Sequence, residues 1–324
     1  MRSFALLLAL GLAGSGCAAA SERECNVGAD CPTGACSASG TCVPATTPTD
    51  GGSEASIEAG EAGDAADGDP GADAPDSAVT ADADAGDTPT TGCLPNGDGT
   101  ITASELPLGP GLKATFRVAE NAAFATAGTA KGDGTRAWNL AVAFAGDKDV
   151  LVNTRAPAGT WWASKFPSAS YATELSTTSD LLGVFQTTAT ALVLLGVVSP
   201  TDGVSRTELK YATPPSALQL PLTAASAWKV TSNVSGTASG LFSNYSETWD
   251  SKVDARGELT TPFGKFGVLR VRTVLTRTVG FSVTVTRSFA FVTECFGTVA
   301  TVTSKANETQ EEFTTAAELR RLAP

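Results

Sequence analysis

The sequence predicts a mainly β protein: an antiparallel β-sandwich or curved half-barrel with a short C-terminal α-helix, preceded by a small cysteine-rich module and a disordered acidic linker. The β prediction comes from residues 93–324, where short apolar runs follow one another across turn signals such as SPTDG and ATPP. The segment FSVTVTRSFAFVTECF, which begins at Phe281, alternates apolar and polar residues, as expected for a strand with one buried face. Strands in direct succession, without helices between them, favour antiparallel pairing.

Residues 1–16 have the pattern of a secretion signal, with a positive charge at Arg2, an apolar run over 4–12 and small residues after it. A run of about ten apolar residues is half of the roughly 20 needed to cross a bilayer as a helix. The signal ends in LAGSGC, which resembles a bacterial lipobox and implies lipidation of Cys17. The alternative is ordinary cleavage after Ala20, which would release a soluble secreted protein.

The lipobox resemblance also predicts where the chain is delivered. The residue after Cys17 is Ala18 and not Asp, which in enterobacterial sorting implies the outer membrane. We therefore expect a lipid-anchored protein on the periplasmic or surface face of the outer membrane, with the membrane itself as a partner. Two or three acyl chains would anchor it firmly, because each buried methylene adds about 0.8 kcal/mol.

Six cysteines remain after Cys17, and an even number can pair in an oxidising compartment. Four of them lie in residues 17–44, which resemble the small cysteine-rich modules near the start of many exported bacterial lipoproteins. Zinc is less favoured there, because the chain has no histidine and the module has no C-x2-C pairs. Sequence does not give the connectivity, but the simplest scheme has two bridges in the module and one in the β domain. The six predicted disulfide cysteines are Cys25, Cys31, Cys36, Cys42, Cys93 and Cys295.

The segment 45–92 is predicted to be a disordered tether. It contains twelve acidic and no basic residues, and it has almost no large apolar side chains that could offset the entropy of ordering. The formal net charge of the whole chain is −12, so the acidic and basic residues outside the tether balance. A nearly neutral β domain offers no electrostatic reason to expect nucleic acid as a partner.

The start of the β domain, CLPNGDGTITASEL, resembles the EF-hand and dockerin calcium loops over twelve residues. With Gly99 at the position that requires glycine, four residues fall at ligand positions: Asn96, Asp98, Thr100 and Glu105. Leu94 stands where the first carboxylate is expected. The loop is therefore a candidate calcium site of reduced charge, and the competing interpretation is an Asn-Gly-Asp-Gly turn leading into the first strand. No cofactor is required, and calcium is the one candidate.

Three local patterns give further expectations. Thr309 and Glu312 have capping-box spacing, which predicts a terminal helix over 309–322 with Arg320 and Arg321 in its last turn. Trp161 and Trp162 would face opposite sides of a strand, and we expect the second face to be covered, an exposed indole being the alternative. Arg270 and Arg272 share a strand face, which we expect to be solvated, an anion site being the alternative.

The absence of histidine excludes Ser-His-Asp and Cys-His catalysis, and the chain is predicted not to be an enzyme. The segment GELTTPFGKFGVLRVRT resembles a turn and strand of uncharacterised exported bacterial β domains, and the whole chain resembles an uncharacterised Gram-negative surface lipoprotein. The expected function is a tethered domain that binds a ligand or an envelope component. The alternatives are a periplasmic carrier of an apolar ligand and a secreted carbohydrate-active enzyme. An apolar cavity would favour the carrier, a groove with facing carboxylates the enzyme, and a filled core a scaffold.

Overall fold

The structure is a computed structural model that describes residues 93–324. The predicted signal peptide over 1–16, lipidation at Cys17, the cysteine-rich module over 17–44 and the tether over 45–92 lie outside the described residues. Of the six predicted disulfide cysteines, Cys93 and Cys295 lie inside. In the described part of the chain, no helix has the length and apolar character needed to cross a membrane.

Fifteen strands and two short 3-10 turns, Ala103–Glu105 and Ala163–Lys165, make up the described domain. The strands are β1 Lys113–Ala123, β2 Thr129–Ala130, β3 Arg136–Asn139, β4 Lys148–Asn153, β5 Tyr171–Glu174, β6 Leu182–Thr187, β7 Ala191–Val198, β8 Glu208–Tyr211, β9 Ser216–Gln219, β10 Ala227–Ala238, β11 Leu241–Thr260, β12 Lys265–Val279, β13 Ser282–Thr293, β14 Gly297–Ser304 and β15 Thr315–Leu322.

The strands form one nearly closed, barrel-like sheet, in the order β4-β1-β15-β14-β13-β12-β11-β10-β8-β7-β6-β5. Every pairing along this path is antiparallel. The two ends of the path meet just after β4, where the amide of Arg155 donates to the carbonyl of Ala172 at 2.7 Å and the reverse bond measures 2.9 Å. The mainly β prediction is confirmed, and the curved half-barrel curls further than expected, almost to closure. A single parallel pairing, β3 with β11, lies off the path.

The alternating pattern that predicted β13 has two outcomes along the strand. Near the C-terminal end, Phe289 and Phe291 are fully buried. At the other end, Phe281 and Val283 are exposed, because the β12–β13 hairpin extends past the core. Val292, which follows Phe291, is buried as well, so this part of the sheet is covered on both faces. Val292 packs in the same hydrophobic cluster as Tyr171, on one face of the sheet. Phe289 and Phe291 pack in the cluster that contains Trp138 of β3, on the other face.

The predicted C-terminal helix is wrong, because residues 315–322 form strand β15 between β1 and β14. The capping-box interpretation also fails: the carboxylate of Glu312 accepts hydrogen bonds from Thr126 and Arg270. Without β15, both neighbouring strands would be left with unpaired backbone groups, and burying such groups is costly. The tertiary pairing therefore overrides a helical pattern that is only weakly stabilising for so short a segment.

The two adjacent tryptophans lie in a turn and not on a strand. Trp162 immediately precedes the 3-10 turn Ala163–Lys165 and is buried. The indole N–H of Trp161 donates to the carbonyl of Ser199 at 3.1 Å, and the guanidinium of Arg206 lies 5.3 Å from its ring centroid. Both indoles therefore pack against the protein. They do so because they lie at a turn, and not because a strand directs them to opposite, covered faces.

The expected solvated face of Arg270 and Arg272 is covered, which corrects the prediction for both residues. Arg270 is only 2% exposed, and its guanidinium contacts the carboxylates of Asp254 and Glu312 at 2.9 and 2.6 Å. Arg272 pairs with Glu311. The segment that precedes β15 brings both glutamates over β12, and the sequence pattern of β12 alone contains no sign of that cover.

Candidate functional site

The EF-like loop is held by hydrogen bonds among its own predicted ligand residues. The amide of Asp98 donates to the side-chain oxygen of Asn96 at 2.9 Å, and the amide of Thr100 donates to the carboxylate of Asp98 at 2.7 Å. One oxygen of Glu105 accepts from the Asn96 side chain at 2.8 Å, and the other accepts from Thr102. Gly97 and Gly99 have φ values of +67° and +81°, which favour glycine. The structure thus brings the four residues into one tight turn.

The same loop is fastened to the turn between β13 and β14. A disulfide joins Cys93 to Cys295 across 202 residues of sequence, the pairing that the simplest scheme predicts. The carboxylate of Glu294 accepts the amide of Asn96 at 2.6 Å and that of Gly97 at 3.1 Å. The amide of Cys295 donates to the carbonyl of Glu105 at 2.7 Å. Residues 93–105, which we call the clasp, are therefore fastened to the β13–β14 turn by one disulfide and three hydrogen bonds.

Calcium binding by Asn96, Asp98, Thr100 and Glu105 stays a prediction. Among residues 93–324, no group of three or more cysteine, aspartate or glutamate side chains has the geometry to hold a metal ion. The calcium hypothesis predicts that calcium at ten times its dissociation constant adds about 1.4 kcal/mol to the free energy of unfolding. Thermal unfolding with calcium at millimolar concentrations, the range of weak extracellular sites, measures this.

The matched control for the calcium titration is Asp98→Asn, which removes the charge but keeps an oxygen that can accept the Thr100 amide. The calcium-dependent rise in the unfolding temperature should disappear in this variant. An unchanged unfolding temperature of the unsubstituted protein across the titration would contradict the calcium hypothesis and leave the loop as a structural turn.

Beside the clasp lies a cavity of about 500 Å³. The clasp end contributes Leu106 and Leu108, and the sheet contributes apolar side chains from β1, β5, β6, β7, β9 and β15, among them Phe116, Phe185 and Leu218. Ligand sites in proteins are typically concave and mostly apolar, with volumes of about 300–1,000 Å³. In size and lining, this cavity is the strongest candidate site in the described domain.

The cavity reaches the protein surface. Leu112 and Phe296 both belong to its wall and are 40% and 44% exposed, and Lys113 beside them is exposed. The wall also contains Cys295, so the disulfide of the clasp borders the opening. A small molecule could therefore enter at this edge without the sheet having to separate.

A minority of the residues that line the cavity are polar, and burial shifts the pKa of two of them. Burial raises the pKa of the Tyr171 hydroxyl to about 12, so this group stays protonated at neutral pH. Burial lowers the pKa of the Arg320 guanidinium, which nearby Glu318 and Glu174 partly offset by charge attraction. Threonines at 154, 173, 298 and 301 supply hydroxyls. The site thus combines apolar walls with two partly buried charged side chains, Arg320 and Glu174.

The sequence offers an apolar cavity only as the mark of a carrier, one of the alternatives, and indicates neither where the cavity lies nor which arginine lines it. The helical pattern predicts Arg320 in the last turn of a helix, where a cation is favourable because the helix dipole is negative at that end. In the strand that actually forms, Arg320 and Arg321 point to opposite faces of the sheet. Arg320 lines the cavity, while Arg321 bonds to the carbonyl of Leu140 and the carboxylate of Asp147. The sequence feature closest to the cavity is the apolar alternation of the strands. This pattern predicts that one face of the sheet is covered, but it does not predict a cavity under that cover.

Comparison with known proteins gives no family. No protein-family model matches the chain, and no curated protein matches it significantly. Among solved structures, one from Parabacteroides distasonis ATCC 8503, described as a putative lipoprotein, has 9% sequence identity and a TM-score of 0.29, and the match covers 66% of this chain and 95% of that one. A likeness at that level carries no argument about fold or function.

Proposed function

We propose that this chain is an exported lipoprotein of the cell envelope whose β domain binds an apolar small molecule in the cavity beside the clasp. The observation that carries the binding function is the cavity of about 500 Å³, with its mostly apolar lining. The lipid anchor at Cys17, the location at the outer membrane and the tether over 45–92 remain inferences from the sequence. On this proposal, the tether lets a lipid-anchored domain exchange its ligand some distance from the membrane.

Two features support a binding protein over the alternatives. A domain that served only as a scaffold has no need of an open, mostly apolar concavity, and exposed apolar surface of that kind typically marks a binding site. A carbohydrate-active enzyme is supported less, since both residues of the Trp161–Trp162 pair are packed against the protein and exposed indoles are the expected platform for a sugar. That the chain is not an enzyme stays a prediction.

Filling the cavity tests the proposed function. Ala114 lies on β1 and lines the cavity, so Ala114→Trp places an indole where the ligand would lie. The full chain is titrated with N-phenyl-1-naphthylamine, a neutral apolar dye whose fluorescence rises in apolar surroundings. We expect saturable binding at one site, and at least about tenfold weaker binding for the tryptophan variant, because the indole excludes the dye from a pocket of this size.

The matched control is Ala123→Trp. Ala123 lies on the same strand but is exposed and outside the cavity, so this variant adds the same side chain without filling the site. The control should bind the dye as the unsubstituted protein does, and circular dichroism should show the same β content in all three. Equal dye binding by all three proteins, or none by the unsubstituted protein, would contradict the proposed function.

A further inference from the structure

Arg320 places a cation in the wall of the apolar cavity. It lies on β15, next to the cavity residue Leu322, and its guanidinium is 5.4 Å from the ring centroid of Phe116, another wall residue. Arginine in such surroundings is costly to bury unless its donors and its charge find partners. The partners that Arg320 has within the protein therefore decide whether its guanidinium can bind a ligand in the cavity.

The hydrogen bonds of Arg320 are incomplete. Its Nε atom is buried and has no hydrogen-bond partner among the described residues. Its Nη1 atom reaches the carbonyl of Leu175 only at 3.5 Å, a distance at which a hydrogen bond is weak. No carboxylate in residues 93–324 lies within 4.0 Å of the guanidinium.

The two carboxylates whose charges attract Arg320, those of Glu318 and Glu174, have other partners in the protein. Glu318 accepts three hydrogen bonds from residues 176–177, at 2.7 to 3.0 Å. Glu174 also lines the cavity, and its carboxylate lies 3.8 Å from the guanidinium of Arg155. The charge of Glu174 is thus partly balanced by a cation of its own, which reduces its repulsion of an anion in the cavity.

The neighbouring arginine shows what a satisfied buried arginine looks like in this domain. Arg321 is fully buried. Its guanidinium lies 2.6 Å from Asp147 and donates to the carbonyls of Leu140 and Val142 at 2.7 and 3.2 Å. Arg321 therefore stabilises the fold, whereas Arg320, one residue earlier on the same strand, has donors left over and faces the cavity.

We propose that the cavity selects an anionic single-chain amphiphile, with a carboxylate head group on Arg320 and an aliphatic chain along the apolar wall. A carboxylate matches the planar donors of a guanidinium and can accept two parallel hydrogen bonds from them. Because the surroundings are apolar, the attraction between the two charges is stronger than in water. Burial lowers the pKa of Arg320, and a bound anion would offset that cost. This inference rests on the proposed function, since it names the ligand class of the same cavity.

Two ligands that differ only in the head group test the inference. The full chain is titrated with dodecanoate and with dodecanol, both below the concentrations at which they aggregate, by competition against N-phenyl-1-naphthylamine. We expect dodecanoate to bind more tightly than dodecanol. Arg320→Gln should weaken dodecanoate binding by about 10- to 100-fold, as expected for loss of a charge-assisted hydrogen bond, and should change dodecanol binding less than about threefold.

The control is Lys305→Gln, which removes an exposed cation outside the cavity. It should change dodecanoate binding only slightly, because an exposed charge is screened by water and salt. If both ligands bind and Arg320→Gln weakens them equally or not at all, the anion inference is wrong and the proposed function stands. If neither ligand nor the dye binds the unsubstituted protein, the proposed function is wrong and the inference falls with it. The unfolding midpoint of Arg320→Gln, measured alongside, separates lost binding from lost fold.

Discussion

Replacing Arg270 by alanine is expected to lower the free energy of unfolding by about 3–5 kcal/mol, the cost of leaving buried charges without their partner. The guanidinium lies between Asp254 and Glu312 and also donates to the carbonyl of Thr126 at 2.6 Å. Its planar face lies 4.2 Å from the ring centroid of Phe289. Alanine leaves the carboxylates of Asp254 and Glu312 without the cation they share, and it also removes the link between β12 and the segment that covers it. Urea unfolding of the full chain measures the loss.

The matched control is an exposed ion pair of nearly the same length. Lys229 Nζ lies 2.8 Å from the carboxylate of Asp250, against 2.9 Å for Arg270 and Asp254, but the lysine side chain is 63% exposed and that of Arg270 only 2%. Lys229→Ala should cost no more than about 1 kcal/mol. Similar losses for the two alanine variants would contradict the argument, because Arg270 is buried and has contacts with Glu312 and Thr126 that the exposed Lys229 does not have.

Removing the disulfide is the second change with a large expected effect. The Cys93→Ser, Cys295→Ser double variant opens a loop of 202 residues, which in the chain-entropy model lowers the free energy of unfolding by about 5 kcal/mol. The clasp also loses its covalent attachment to the β13–β14 turn, so only hydrogen bonds attach it to that turn: those from Asn96 and Gly97 to Glu294, and that from the amide of residue 295 to the carbonyl of Glu105. Urea unfolding of the double variant, without reductant, gives the value.

The control for the disulfide is Glu294→Gln, which weakens the same attachment without cutting the crosslink. Hydrogen bonds to a charged group contribute about 1.5–3 kcal/mol each, and glutamine retains one oxygen acceptor, so this variant should lose less than the double serine variant. The serine variants are a more specific test than chemical reduction, because a reductant would also act on the cysteines at 25, 31, 36 and 42. A double variant within about 0.5 kcal/mol of the unsubstituted protein would contradict a stabilising role for the disulfide.

The clasp and the cavity connect these stability predictions to function. Leu106 and Leu108 follow the clasp directly and form part of the cavity wall, and Cys295 borders the opening. Loss of the disulfide should therefore loosen the end of the domain at which a ligand enters. The EF-like stretch contributes to the proposed site by position, since it holds the wall next to it, whether or not calcium binds there.

The β class of this protein was determined by the sequence alone, because alternation of apolar and polar residues is the period that a half-covered sheet requires. For the cysteines the sequence offered only a simplest scheme, and the structure decided the pairing of Cys93 with Cys295. The function classes excluded by the absence of histidine also need no structure. These conclusions depend on local pattern or on residue inventory, which the chain carries whatever its tertiary arrangement.

The tertiary structure decided the roles of the three buried or cavity-facing arginines. Residues 315–322 have a helical pattern, yet the gap between β1 and β14 makes them a strand, and a strand sends Arg320 and Arg321 to opposite faces. Arg270 is buried because a segment some forty residues later, carrying Glu312, lies over it. The cavity depends on how far a sheet of fifteen strands curls. Each outcome depends on partners distant in sequence, so no local pattern could contain it.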